Sequence, residues 1–247
     1  MRAAIVESLV KQGFEIRGGG IVAPDPADKE SIRDLHRLAV AHRIDRAKGG
    51  LYRHERALLA HIADGCDVVP AAIDPEIVEV QAGSFDELLF RYAALHWSIP
   101  VSSGYGRRLR FLVRDRSNGM LMGIIGLGDP VFSLRPRDEW VGWERGIRGA
   151  RLHHVMDAFV LGAVPPYAPL LCGKLVALLA TTREVAYAFA RKYGGRTGTI
   201  SGEPRDGRLA LITTTSALGG SSLYNRLRVK GLPAAISLGF PCVGRRL

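Results

Sequence analysis

Residues 151–193 constrain the fold more than any other stretch, because they read as a buried strand running into a long helix. His154-Val-Met-Asp-Ala-Phe-Val-Leu161 is an almost unbroken apolar run of β-favouring residues, the pattern of a central strand covered on both faces, and it carries one acid, Asp157. Pro165-Pro166 breaks the run within residues 162–169, since adjacent prolines neither continue a strand nor sit inside a helix. Beyond them Leu171, Leu175, Leu178, Leu179, Val185, Ala186 and Phe189 recur at three- and four-residue steps. That spacing predicts one helix over 170–192, stopped by Gly194-Gly195.

The flanking elements complete a sheet. Two apolar runs, 109–115 and 120–127, meet at Ser117-Asn-Gly119, and Asn-Gly between such runs is a strong hairpin signal. Ser84-Phe-Asp-Glu87 is a capping box that starts a helix carrying Leu88, Leu89, Tyr92 and Leu95. Residues 69–80 are expected to be extended, residues 138–148 to form a short amphipathic helix with Trp140 and Trp143 on one face, for core packing or for base stacking, and residues 197–200 and 209–215 to be further strands. The order hairpin, helix, strand, long helix, strands predicts an α+β fold with a mixed, mostly antiparallel sheet. Helices are expected over 1–12, 27–47 (ended by Gly49-Gly50) and 55–63. Residues 1–75 thus form a small helical subdomain ahead of an α+β domain over 76–247.

Charge divides the chain at the same place. Residues 1–75 hold 11 Lys/Arg against 11 Asp/Glu, whereas 76–247 hold 23 against 13, so the whole +10 excess lies in the second part. Arginine outnumbers lysine 28 to 6, and its planar fork suits phosphate and carboxylate. A polyanion such as nucleic acid is a plausible partner, as is a merely solvated basic surface. Cys66, Cys172 and Cys242 are odd in number and widely spaced, which fits neither a disulfide framework nor a zinc knuckle and points to a reducing compartment. With no signal-peptide core and no span-length apolar run, the expectation is a cytoplasmic protein without membrane contact.

Candidate chemistry is sparse. Asp157, with apolar neighbours, is either a structural carboxylate accepting loop hydrogen bonds or a site residue paired with a cation, for which Arg226 is the expected partner across the sheet edge. His153 and His154 are adjacent, so on a strand they face opposite ways, and no metal site is expected. Ser102-Ser-Gly-Tyr-Gly-Arg-Arg108 enters a strand with two glycines and two cations, either a phosphate cradle or a basic loop. Arg107, Arg108, Arg226 and Arg228 are the candidate nucleic-acid contacts. Ser221 or Ser222 either caps a short helix or lies in a ligand-binding turn.

Several of these stretches carry a resemblance. Ser98-Ile-Pro100, Gly126-Leu-Gly-Asp129, Trp140-Val-Gly-Trp143, VMDAFVLGAVPPYAPLLCGKLVALL and TTTSALGGSSLYNRL resemble the Druantia anti-phage defence protein A family, over about residues 20–230. The resemblance implies a bacterial protein of defence systems or mobile elements that acts around DNA, with other defence proteins as partners and no established catalytic residues. In that family an aromatic, histidine-bearing segment follows Tyr-Asn-Arg, whereas here Ser237-Leu-Gly-Phe240 runs into Pro-Cys-Val-Gly-Arg-Arg-Leu247, which implies a truncated or frame-shifted end. More loosely, the element order is similar to the N-acetyltransferase core, with the long helix central. That likeness implies an acyl-CoA cofactor lined by Gly162, Ala163, Val164 and Tyr167, with Asp157, Tyr167 and Tyr224 as catalytic candidates. The chain departs from the pattern in placing two prolines and a tyrosine where a Gly-rich, basic turn is expected. Three functions stay open: a DNA-associated defence protein, an acyltransferase-like enzyme, and a scaffold recruiting partners through the helical subdomain.

Overall fold

The computed structural model describes residues 1–11, 14–22, 28–97, 106–198, 202, 204–215, 224 and 226–235. In chain order these form α1 (Arg2–Lys11), a hairpin of β1 (Glu15–Arg17) and β2 (Gly20–Val22), α2 (Lys29–Leu51), α3 (Glu55–Leu59), β3 (Pro75–Glu79), α4 (Phe85–Ala94), β4 (Arg108–Asp115) and β5 (Leu121–Gly128). There follow α5 (Arg135–Val141), α6 (Arg145–Arg151), β6 (Val155–Ala163), α7 (Cys172–Leu179), α8 (Arg183–Tyr193), β7 (Leu211–Thr214) and a hairpin of β8 (Arg228–Val229) and β9 (Leu232–Pro233). Strands β3-β4-β5-β6-β7 make one sheet in that order, antiparallel except for the parallel pair β6–β7. This is the expected mixed, mostly antiparallel sheet.

Period-two alternation sends β4 side chains into two apolar layers. Phe111 and Val113 join Met122, Ile125 and Met156 under Val176 of α7 and Val185 and Phe189 of α8. Leu112 instead joins Leu121, Ile124 and Val160 under Leu51 of α2, Leu58 of α3, and Leu89 and Phe90 of α4. Every residue of β5 is buried, as an apolar central strand requires. Each buried leucine here contributes about 1.5–3 kcal/mol of transfer free energy. The last turn of α2 and Leu58 of α3 thus pack on the sheet, and the N–H of Leu121 donates to the His61 carbonyl at 2.8 Å.

The structure corrects several element boundaries. The stretch 170–192 is two helices, because the hydroxyls of Thr181 and Thr182 donate back to the carbonyls of Leu178 and Leu179 at 2.7 and 2.8 Å. Those bonds satisfy the terminal carbonyls of α7 and let Thr182 turn extended as the N-cap of α8. Residues 135–151 are also two helices, split where Gly142 takes the left-handed conformation (φ 75°, ψ 34°) and receives the last turn of α5. Trp140 is 52% exposed and so lies outside the core. Helix α2 runs through Gly49-Gly50 to Leu51, whose burial offsets the weak propensity of the glycines. The expected strand at 197–200 is, among the described residues, only a bridge between Thr197 and Pro204. The motif at 98–100, the loop 98–105, the serines 221 and 222, and the chain end after residue 235 lie outside the described residues.

The predicted hairpin turn is present, and a buried carboxylate organises it. Asp115 is fully buried and accepts from the N–H groups of Asp74 and Ser117, both at 3.0 Å, and from the Tyr167 hydroxyl at 3.0 Å. Burial opposes its ionisation, but these hydrogen bonds prevail and hold its pKa below the usual value. Asp115→Ala leaves those donors unpaired and is expected to destabilise by about 1–3 kcal/mol. A depressed carboxylate contributes stability above its unfolded pKa of about 4 and loses it as pH falls through the lower folded value. Urea midpoints of parent and variant should therefore differ at neutral pH, and the difference should shrink in acid below pH ~4.

Candidate functional site

The site grows from the way β6 is paired. Asp157 stands opposite Gly128 of β5 and beside Thr213 of β7. Its carboxylate accepts from the Thr213 hydroxyl at 2.7 Å. Burial pushes the Asp157 carboxyl up, against the opposing pull of that hydrogen bond and of the Arg137 charge. Arg137, on α5, is fully buried: it donates to Asp138 Oδ1 at 2.9 and 2.6 Å and to the carbonyls of Val131 and Phe132 at 2.9 and 3.2 Å. Arg148 of α6 reaches the other Asp138 oxygen at 2.9 Å. The cation acting on Asp157 is therefore Arg137. Among the described residues no ion pair joins Asp157 to Arg226, which is exposed. Reading 138–148 as one surface helix hid Arg137, whose burial follows only from the loop carbonyls it binds.

Just past Asp157 the register between β5 and β6 shifts: Gly126 pairs with Val160 and Leu127 with Ala158, leaving Phe159 as a bulge. Two glycines make room for its ring, since a Cβ on Gly126 would lie 2.5 Å from Phe159 Cε2 and one on Gly128 3.2 Å from Cδ1. The Arg108 guanidinium sits 5.1 Å from the ring centroid. The parallel ladder to β7 ends at Ala158 and Thr214, while β6 continues to Ala163. Beyond that ladder the Tyr224 hydroxyl donates to the Leu161 carbonyl at 3.4 Å, and burial pushes the phenol pKa up.

The remaining loop candidates lie elsewhere. Gly162 faces Trp97, and the N–H of the buried Val164 donates to the Met122 carbonyl at 3.0 Å. Ala163 packs beside the layer under α7. Tyr167 is fully buried at the hairpin turn, its hydroxyl donating to Asp115 and accepting from the Asn118 amide at 2.8 Å. Its pKa is pushed up to about 12, first by burial. Tyr167 and Asp157 therefore sit toward opposite ends of the sheet, roughly 20 Å apart along β5 at ~3.3 Å per residue. The structure brings Asp157 and Tyr224 to one strand and leaves Tyr167 away from both.

Around the start of β6 lies a cationic edge. Arg107 pairs with Asp129 at 2.5 Å and donates to the carbonyls of His153, Leu152 and Val155 at 2.5, 3.3 and 2.9 Å. Lys192, at the end of α8, donates to the Arg108 carbonyl at 2.9 Å, and Arg196 covers the Tyr193 ring. The backbones of Arg196 and Arg205 pair through a 2.9 Å hydrogen bond, and the Arg208 carbonyl meets His154 Nδ1 at 2.9 Å. Arg228 belongs to the separate β8–β9 hairpin and donates to the Gly231 carbonyl at 2.9 Å. His153 and His154 lie on a 3-10 turn before β6 and do not diverge as strand residues would. Cys66 is exposed and Cys172 buried. Among the described residues no helix is long and apolar enough to cross a membrane.

A family model described as DruA, Druantia protein DruA, matches residues 26–245. A relative from Escherichia coli (strain UMEA 4076-1), named Druantia protein DruA, is 43% identical over 240 residues, which cover 97% of this chain and 59% of the relative. The chain thus spans less than two thirds of that relative's length. No solved structure matches the chain.

The raised Asp157 carboxyl gives a stability test. A raised folded pKa means stability that is full below the unfolded pKa of about 4 and is lost as pH rises through the folded value. Asp157→Asn, which cannot ionise, is expected to be at least as stable as the parent at pH 7. Its advantage should vanish in acid, as followed by thermal melts across pH.

Proposed function

The chain belongs to the Druantia protein DruA family, and from that premise we propose that it acts in an anti-phage defence system, in the cytoplasm, by engaging DNA through its cationic edge. The supporting observation is convergence. Arg107 just before β4, Arg108 at its start, Lys192 from α8, and Arg196, Arg205 and Arg208 from the segment before β7 meet at one end of the sheet. Two acids, Asp129 and Asp206, lie among them, paired with Arg107 and His154. Arg107 is held by backbone carbonyls and braces the edge. Arg108 and the more exposed cations are placed for phosphate, which binds guanidinium forks and releases counterions. Arg226 and Arg228 extend the basic surface from the C-terminal hairpin region. Other proteins of the system are partners in this reading.

The test is binding of duplex and single-stranded DNA across salt concentrations by the parent and by an Arg196→Glu, Arg205→Glu, Arg208→Glu triple variant with unchanged melting temperature. The variant is expected to bind more than about tenfold more weakly at low salt, with a log–log salt slope shallower by roughly 2–3, close to one per lost phosphate contact. No binding by the parent at low salt, or equal affinity of the two proteins, overturns the reading.

A second reading, an acyltransferase-like enzyme using acyl-CoA, is favoured by one observation: β6 runs past its parallel ladder and leaves an edge that only Tyr224 meets among the described residues. An extended amide-bearing ligand could bond there. Acetyl-CoA in large excess is then expected to raise the melting temperature, and Tyr224→Phe to alter that shift. No shift at millimolar ligand removes this reading.

A further inference from the structure

His153 and His154 occupy the 3-10 turn that leads into β6, and the turn changes what adjacent histidines can do. On an extended strand consecutive side chains point to opposite faces. Here the two imidazole centroids are 3.8 Å apart. Asp206, from the segment between α8 and β7, approaches the pair, with Oδ1 3.4 Å from Nδ1 of His154. The ligand atoms offered by the three residues all lie within 4.8 Å of one another. Ligands of a tetrahedral zinc stand roughly 3.4 Å apart, given bonds of about 2.0–2.2 Å. Rotation of the exposed Asp206 side chain covers that difference.

The backbone of Arg208 holds the His154 and Asp206 side chains in place. Nδ1 of His154 faces the Arg208 carbonyl at 2.9 Å. A carbonyl only accepts, so Nδ1 carries the ring proton here, and a metal on the side of Asp206, whose carboxylate lies 3.4 Å from that nitrogen, takes its lone pair as the proton moves to Nε2 and the Arg208 hydrogen bond opens. Asp206 is oriented too: the Arg208 N–H donates to its Oδ1 at 3.1 Å, leaving Oδ2 for a cation.

We propose that His153, His154 and Asp206 bind one divalent transition metal of the zinc class, with a fourth coordination position left open. Two neutral imidazoles and one carboxylate leave a net charge of +1 on such a centre. Arg205 and Arg107 add their fields at His153. A cation in that position is disfavoured alone and stabilised by an anionic oxygen in the open position, so the fourth ligand is a phosphate or carboxylate oxygen rather than a neutral group. This proposal does not depend on DNA binding, and its test uses no nucleic acid.

The full chain, purified without an affinity tag and stripped with chelator, is titrated with Co2+ and then Zn2+. One equivalent of Co2+ is expected to give the visible absorption of a four-coordinate ion, and Zn2+ to displace it. Inorganic phosphate should perturb the Co2+ spectrum by entering the open position. His153→Gln and Asp206→Asn should each weaken binding by roughly tenfold or more, while His96→Gln and Cys66→Ser leave it unchanged. Asp206 is exposed, so its variant keeps the fold if the histidine variant does not, which circular dichroism reports. No saturable absorption in the parent, unchanged affinity in the Asp206 variant, or loss of binding in the Cys66 variant overturns the proposal.

Discussion

The backbone pairing of β6 is the constraint on which the rest depends. One edge of the strand is joined to β5 from Asp157 to Ala163, with a bulge at Phe159, and the other is joined to β7 for four residue pairs among the described residues. A buried strand cannot leave N–H and C=O groups unpaired without a penalty of about 1–3 kcal/mol each. The short ladder therefore sets where other groups must come in, and Tyr224 comes in at Leu161. The same pairing places Asp157 against Thr213, just before the bulge. A parallel β7 also demands a long crossover, which α7 and α8 supply while covering one sheet face.

Arginine holds this arrangement together through carbonyls more than through acids. Arg107 ties the start of β4 to the turn before β6 through three backbone oxygens, and Arg137 closes the loop after β5 through two more. A guanidinium suits the task because its planar fork carries five donors and stays charged when desolvated. Part of the basic excess is therefore architecture. The cations at the end of α8 and in the segment before β7 lie toward the surface, and among them Arg205 adds its field at His153. The N-terminal helices enter this economy differently: α2 and α3 bury Leu51 and Leu58 against the sheet.

The sequence by itself determined the elements whose signal is local. The Asn-Gly turn, the Ser84 cap and the apolar run of β6 were legible because turn chemistry, capping and burial on both faces each impose residue types within a few positions. The helix breaks at Thr181-Thr182 and Gly142 lay within reach of the same reasoning, but apolar spacing carried through them and masked the stops. Tertiary structure alone decided which cation acts on Asp157, that Tyr167 caps a hairpin turn rather than joining Asp157, and that His153 and His154 share one side with Asp206. Each of these joins residues of separate elements, 20 positions apart for Arg137 and Asp157 and 52 for Tyr167 with Asp115 and for His154 with Asp206. Spacing in a sequence records the face of an element, whereas such meetings depend on how separate elements pack and where their backbone hydrogen bonds end.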